Sequence, residues 1–214
     1  GAAAALFALA CDSPTAPDGS SAAEVPAPEA LRKAAVGESV KLGSGDLGIL
    51  NYAFALEQLE AEFYRLVAED FYPGSTQPER QILRDIKRHE LVHRDFYMAA
   101  LGSNGIPRLN FDFSSVDFRN RLSVLKAAKR FEDLGVEAYN GAAHLIKDTT
   151  TLFVAGKIVS VEARHASAIR DLINPKSPDF APRAFDRAKS PSEVLAIAGP
   201  FFKNKLIADN LPTA

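Results

Sequence analysis

Two segments of this chain place a glutamate and a histidine three residues apart, a spacing that puts both side chains on one face of an α-helix. The pairs are Glu90 with His93 and Glu162 with His165. Each pair interrupts a stripe of residues at helical spacing that is otherwise mainly apolar. Because a carboxylate and an imidazole are costly to bury without partners, the two pairs together indicate metal ligands.

Glutamates also interrupt the apolar stripes of two further predicted helices. One on each helix, Glu57 and Glu132, is followed seven residues later by a tyrosine, Tyr64 and Tyr139. Glu60 shares the inner face with Glu57, so the sequence leaves open which of the two is the ligand, and the matched Glu-to-Tyr spacing favours Glu57. The tyrosines are expected in the core, with a supporting or redox role beside the ligands as the alternative.

The order Glu, Glu-x-x-His, Glu, Glu-x-x-His is the ligand set of four-helix bundles that hold two iron or manganese ions. Converging carboxylates repel one another in a low-dielectric core, and two divalent cations would convert that repulsion into binding. We expect Glu90 and Glu162 to bridge both metals and each histidine to bind one. The full set of predicted ligands is Glu57, Glu60, Glu90, His93, Glu132, Glu162 and His165.

Four amphipathic helices must position these ligands. Hydrophobic spacing, Pro and Gly predict them at Asp46–Phe71, Pro78–Leu101, Arg121–Asp148 and Leu152–Ile173. Residues 103–120 break the helical period and suit a long crossover between two helix hairpins. The predicted fold is therefore an all-α, up-down four-helix bundle with one long crossover and a short C-terminal helical tail.

The regions outside the bundle have other compositions. Residues 1–11 resemble the end of an export signal, and their Leu-Ala-Cys ending predicts a lipid anchor at Cys11, with an ordinary secretory signal as the alternative. Residues 12–45 are rich in Pro, Ala, Ser and Gly and predict a flexible linker before the bundle at 46–173. Residues 174–214 form an extension whose amphipathic segment Ser192–Ile207 is expected to pack on the bundle. Either kind of signal predicts a location in the periplasm or cell envelope.

Composition restricts the partners. The 214 residues carry a net charge of −2 and no basic cluster, so nucleic acid is not an expected partner. The single cysteine excludes a disulfide framework and a cysteine-based metal site. Oxygen and nitrogen ligands favour two iron ions, or manganese, over zinc. The expected partners are metal ions and O₂ or peroxide, with a membrane reached only through Cys11 and a homodimer left open.

The helical region resembles the ferritin-like superfamily, most closely the ferritin-like domain family of bacterial envelope and desiccation-related proteins. The segments that carry this resemblance are LEQLEAEFY (56–64), FEDLGVEAYNGAA (131–143), VEARHASAIR (161–170) and SPSEVLAIAGPFF (190–202). The resemblance covers about residues 46–207. It implies a four-helix bundle with one crossover and a dinuclear metal site at the ligand positions given above, but it does not define an activity.

Three functions are compatible with these residues. The first is a di-iron or di-manganese oxidoreductase, ferroxidase-like or peroxidase/catalase-like, at the cell envelope. The second is a stress- or desiccation-related binding or structural protein that keeps the bundle without turnover. The third is a bundle with one structural zinc ion. Metal content and spectra distinguish them.

Overall fold

A computed structural model of the protein describes residues 32–213. Cys11, the predicted signal remnant and most of the predicted linker lie outside these residues. The described part contains five α-helices and two short strands. Their bounds are β1 Ser39–Lys41, α1 Gly45–Glu69, α2 Gln77–Leu101, α3 Arg121–Ala142, α4 Thr149–Ile173, α5 Pro191–Ala198 and β2 Lys205–Ile207. None of the helices within residues 32–213 is both long and apolar enough to cross a membrane.

Helices α1 to α4 form the bundle, which confirms the predicted all-α fold. The most extensive packing joins α1 to α2 and α3 to α4, so the chain folds as two helix hairpins. Each hairpin needs only a short turn, whereas residues 102–120 cross from the first hairpin to the second. The apolar stripes face inward and bury large side chains such as Phe63, Leu83 and Leu125.

Side-chain caps explain where the helices begin. Thr76 and Glu79 form a reciprocal capping box at α2, and Asp148 accepts a 2.7 Å hydrogen bond from the Thr151 N–H at α4. Asp46, the first residue of the predicted helix, does not cap it: α1 begins after Ser44, and the Asp46 carboxylate accepts hydrogen bonds from the N–H groups of Lys147 and Asp148. Asp46 therefore ties the start of α1 to the turn before α4.

The predicted third helix is too long at its C-terminal end. Helix α3 ends at Ala142 and continues as a single 3₁₀ turn, Ala143–Leu145, before the chain leaves the helix axis. Ile146, which lies within the predicted helix Arg121–Asp148, has extended backbone angles. The helical period continues into this turn because its apolar side chains still face the core, so periodicity alone does not locate the end of the helix.

Two buried side-chain amides on α1 form hydrogen bonds with the backbone of the crossover. The Asn51 side chain accepts a 2.9 Å hydrogen bond from the Ile106 N–H, and the Gln58 side chain accepts one of 2.8 Å from the Leu109 N–H. The two donors belong to irregular backbone, which needs such partners when it is buried. The crossover is therefore packed against the bundle at fixed positions.

The folded region begins before Asp46. Strand β1 pairs in parallel with β2, with Val40 opposite Leu206, although 12–45 is the predicted linker. Val40 and Leu42 are buried, so this segment is part of the folded domain rather than of a linker. The predicted amphipathic segment Ser192–Ile207 is likewise divided into α5, a 3₁₀ turn and β2. The C-terminal extension packs on the bundle through α5, whose Val194 is fully buried.

Candidate metal centre

The bundle core buries every predicted ligand. Glu90, Glu132 and Glu162 are fully buried, and the most accessible ligand, His93, is 9% exposed. Helix α1 contributes Glu57, α3 contributes Glu132, and α2 and α4 contribute the Glu-x-x-His pairs. The helical stripes that the sequence predicted therefore converge on one place inside the bundle.

Six ligands form two overlapping groups, in each of which one ligand atom per residue lies within 4.8 Å of the others. One group consists of Glu57, Glu90, His93 and Glu162, and the other of Glu90, Glu132, Glu162 and His165. Glu90 and Glu162 belong to both groups, one from each hairpin. Of the predicted ligands, Glu60 is the one that neither group includes.

The histidines turn their Nδ1 atoms toward the carboxylates. His93 Nδ1 lies 3.0 Å from Glu162 Oε1 and 3.5 Å from Glu57 Oε2. His165 Nδ1 lies 2.9 Å from Glu90 Oε1 and 3.3 Å from Glu132 Oε2. Each imidazole therefore faces a glutamate that both groups share and a glutamate that only its own group contains.

These close atoms do not pair through well-directed hydrogen bonds. Eight buried ligand atoms have no hydrogen-bond partner within residues 32–213: Glu57 Oε2, both oxygens of Glu90, Glu132 Oε2, both oxygens of Glu162, and the Nδ1 atoms of His93 and His165. Buried polar atoms are nearly always hydrogen-bonded, so a cluster of exceptions requires an explanation. Lone pairs that point to a common centre rather than to one another are what a cation site needs, and the donor set fits two divalent ions.

Two tyrosines hold the remaining oxygens of the unshared glutamates. Tyr139 Oη on α3 donates a 2.5 Å hydrogen bond to Glu57 Oε1 on α1. In the reverse direction, Tyr64 Oη on α1 donates a hydrogen bond to Glu132 Oε1 on α3. Each glutamate therefore keeps one oxygen for a metal while the other is fixed by the opposite hairpin, an arrangement that orients ligands in metal sites.

Glu60 is buried beside the site but is not part of the grouped ligands. A Cβ atom built on Gly135 would lie 3.2 Å from Glu60 Oε1 and 3.3 Å from Glu162 Oε2. Glycine at this position lets α3 approach both carboxylates. Burial, with the charge of Glu162 adding to it, raises the pKa of Glu60 well above its usual value. The geometry thus separates Glu60 from the set that contains Glu57.

The carboxylates have unequal pKa values. Burial raises the pKa of Glu57 to about 7, and burial together with the charge of Glu90 raises that of Glu162 well above its usual value. Burial acts on Glu90 in the same direction, but the approach of His165 and His93 outweighs it and lowers the pKa of Glu90 to about 2. Glu90 is therefore the carboxylate that keeps its charge most easily.

The pKa values of the two ligand histidines are both raised. Burial opposes protonation of His165, yet the nearby carboxylates of Glu132 and Glu90 raise its pKa to about 10. The pKa of His93 is also raised well above its usual value, because Glu162, Glu57 and Glu90 outweigh burial. Without a metal, protons balance the negative charge of the site, and metal binding would displace them.

His89, directly before Glu90, contacts the site, although the sequence favoured a partly exposed helix histidine over support of a ligand. Its Nδ1 atom lies 2.8 Å from Nε2 of His165, the nitrogen that faces away from the carboxylates. Residues 89–93 read HELVH, the spacing with which two histidines bind zinc in metallopeptidases, but of these two only His93 belongs to a ligand group. The signal that could have identified His89 is its position directly before Glu90, beside the inner stripe.

An open depression of about 390 Å³ lies between α2 and α4 on the outside of the bundle. Its lining includes His89, His93 and His165, together with apolar side chains such as Val92 and Val161. A larger groove of about 570 Å³ lies beside the crossover and contains none of the ligands. The histidine side of the centre is therefore its nearest approach to solvent.

Comparison with known proteins bears on the fold and on this site. Curated proteins give no match to the chain. The family model of the ferritin-like domain matches residues 45–175, more than half of the chain. This range contains helices α1 to α4 and all six grouped ligands. The resemblance inferred from the sequence is confirmed, and the chain belongs to the ferritin-like domain family.

Proposed function

We propose that the protein holds two iron ions, with manganese as the alternative, and oxidises Fe(II) or converts O₂ or peroxide at the cell envelope. The observation that carries this proposal is the convergence of eight buried ligand atoms that have no hydrogen-bond partner in the described part of the chain. They belong to Glu57, Glu90, His93, Glu132, Glu162 and His165. Bound iron or manganese would supply the electron transfer that such reactions require.

The ligand groups support a specific assignment. Glu57 and His93 hold one metal position, and Glu132 and His165 hold the other. Glu90 and Glu162 serve both positions, because each belongs to both groups. Tyr64 and Tyr139 orient the unshared glutamates, and Glu60 stays a neutral neighbour rather than a ligand.

The chemistry of the ligands favours a hard, redox-active metal. Four carboxylates and two imidazoles suit iron or manganese better than a single structural zinc ion. The depression between α2 and α4 gives a small oxidant a short route to the histidine side of the centre. The proposed envelope location rests on the sequence around Cys11.

Metal loading tests the proposal. Metal-free protein is loaded with Fe(II), Mn(II) or Zn(II) without oxygen, desalted and analysed for metal content. We expect two iron or manganese ions per chain, and a change in the optical and EPR spectra when O₂ or H₂O₂ is added. Loss of the oxidant is measured in parallel with an electrode.

Two variants and a control locate the site. Glu90→Gln and Glu162→Gln should each reduce loading below two ions, because each removes a ligand shared by both positions. Glu137→Gln should still bind two, since Glu137 pairs with Lys189 instead of with the ligands. Wild-type protein that retains no iron or manganese would contradict the proposal. Protein that retains two ions without consuming an oxidant would support the alternative, a stress-related binding protein without turnover.

A further inference from the structure

The two proposed metal positions are not equivalent on the side of the histidines. His165 has a polar partner beyond the ligand shell, His89, at 2.8 Å. The repeat of the chain pairs Glu90 with Glu162, so the residue that corresponds to His89 is Val161. Valine cannot accept a hydrogen bond. The outer nitrogen of His93 therefore has no counterpart of His89 at the repeat-related position.

The rings of His89 and His165 lie end to end rather than face to face. Their planes differ by 12° and their centroids are 5.1 Å apart. For a 2.8 Å N···N distance, the centroids are farthest apart when both nitrogens lie on the line that joins them. The observed separation is this maximum, the N···N distance plus the radii of the two imidazole rings. The two nitrogens therefore point straight at each other along the line of the ring centres, which is the geometry of a strong hydrogen bond.

This contact fixes which nitrogen of His165 is available to a metal. When Nδ1 binds the metal, the ring proton sits on Nε2 and can be donated to Nδ1 of His89. Such a hydrogen bond sets the tautomer and the ring orientation of a histidine ligand and makes it a better donor to the metal. His89 itself reaches the open depression, so its other nitrogen has room for its own proton.

We propose that His89 is a positioning residue for His165 and makes the two metal positions unequal. The position formed by Glu132 and His165 then binds its metal more tightly than the position formed by Glu57 and His93. This inference rests on the proposed function, because it ranks two positions that must first bind metal.

Titration with Co(II) under anaerobic conditions tests the ranking, because cobalt reports both affinity, by calorimetry, and coordination, by its visible spectrum. Wild-type protein should show two binding steps of different affinity. His89→Val should weaken the tighter step by about 10–100-fold and leave the other unchanged. His89→Asn, whose side-chain oxygen can accept the same hydrogen bond, should restore most of the affinity. His144→Val is the matched control, because His144 is an exposed histidine outside the ligand groups.

A double-mutant cycle identifies the position concerned. His89→Val should have no further effect in a His165→Ala background but should keep its full effect in a His93→Ala background. Equal affinities in wild-type protein, or unchanged titrations of His89→Val, would overturn the inference while leaving the dinuclear site intact. Wild-type protein that binds no cobalt and no iron would overturn the proposed function as well, so the two failures are distinct.

Discussion

At the scale of single residues, the centre depends on side chains that bind no metal themselves. Tyr64 and Tyr139 cross between the hairpins and donate to Glu132 and Glu57, respectively. The exchange is reciprocal, and it follows from the equal spacing of glutamate and tyrosine on α1 and α3. Each tyrosine satisfies one oxygen of a buried carboxylate and leaves the other oxygen unpaired and directed at the site.

Tyr64→Phe should weaken the metal position of Glu132 without unfolding the bundle. The variant leaves Glu132 Oε1 buried without its donor, and loss of such a supporting group costs about 10–100-fold in metal affinity. Metal titration of the variant measures the effect. The control is Tyr52→Phe, since the buried Tyr52 hydroxyl has no hydrogen-bond partner within residues 32–213 and its removal should be neutral or slightly stabilising. Equal losses in both variants would mean that removing a hydroxyl from the core, and not losing the bond to Glu132, is responsible.

At the scale of the elements, α3 lies so close to the carboxylates that a Cβ atom on Gly135 would be crowded. Gly135→Ala should reduce metal affinity, because its Cβ would press on Glu60 Oε1 and Glu162 Oε2 at 3.2 and 3.3 Å. Alanine favours a helix over glycine by about 1 kcal/mol, so the free energy of unfolding should change little or rise. Metal titration and chemical denaturation measure the two quantities separately.

The control for Gly135 lies on α4. A Cβ on Gly156 meets nothing within 4 Å among the described residues. Gly156→Ala should therefore raise the free energy of unfolding by about 0.5–1 kcal/mol and leave metal binding unchanged. If Gly135→Ala binds metal as tightly as Gly156→Ala does, the close approach of α3 has no role in shaping the site.

The sequence predicted the helices and the grouped ligands because one periodicity encodes both. A buried stripe requires residues every three or four positions, so a glutamate within it, such as Glu132, stands out from the pattern of residues alone. Helix ends are set by local hydrogen bonds such as the one that Asp148 accepts from the Thr151 N–H, which periodicity does not contain. Strands β1 and β2 are three residues each and have their partners far away in the chain, so no local signal predicts them.

The sequence did not predict the contact of His89 with His165 for a related reason. Its side chain lies beside the inner stripe of α2, where a histidine is usually a surface residue. Its partner His165 lies on the other hairpin, and only the packing of α2 against α4 brings the two rings into line. Contacts between hairpins that involve residues outside the apolar stripes are the part of this site that a single sequence does not reveal.

At the scale of the whole molecule, Asn204 joins three distant segments. Its side-chain oxygen accepts a 2.8 Å hydrogen bond from the Asn110 N–H in the crossover. Its amide nitrogen donates to the carbonyl oxygens of Ala35 and Glu38, which lie just before β1. The Asn204 side chain is buried, with 5% of the residue exposed, so its own polar atoms depend on these partners.

Asn204→Ala should lower the free energy of unfolding by about 3 kcal/mol, because it removes the hydrogen bonds that join the C-terminal extension to the crossover and to the segment before β1. Chemical denaturation measures the loss. Asn140→Ala is the control, since the Asn140 amide makes one exposed hydrogen bond to the Arg187 carbonyl and its loss should cost about 0.5 kcal/mol or less. Metal content should stay at two ions per chain in both variants. A loss of metal in Asn204→Ala would show that the terminal segments support the centre as well as the fold.

Metal binding should stabilise the whole bundle, since the ligands come from all four helices. When the concentration of free metal is 1,000-fold above the dissociation constant of one position, binding there adds about 4 kcal/mol to the free energy of unfolding. A chelator should reverse this stabilisation. For a chain of this size, that corresponds to an increase of about 8–16 °C in Tm. Differential scanning calorimetry of metal-free and loaded protein measures it.

The variant Glu162→Gln distinguishes two effects of this carboxyl group: its effect on the stability of the metal-free protein and its contribution to metal binding. Burial and the charge of Glu90 hold the pKa of Glu162 well above its usual value, which favours the protonated form of this side chain in the metal-free protein. Glutamine is a neutral group of the same shape, and the metal-free variant should be as stable as wild type or more stable. Its increase in Tm on loading should be much smaller, because a shared ligand is lost. If the metal-free variant instead melts several degrees below wild type and responds fully to metal, Glu162 is a structural residue of the core and not a ligand.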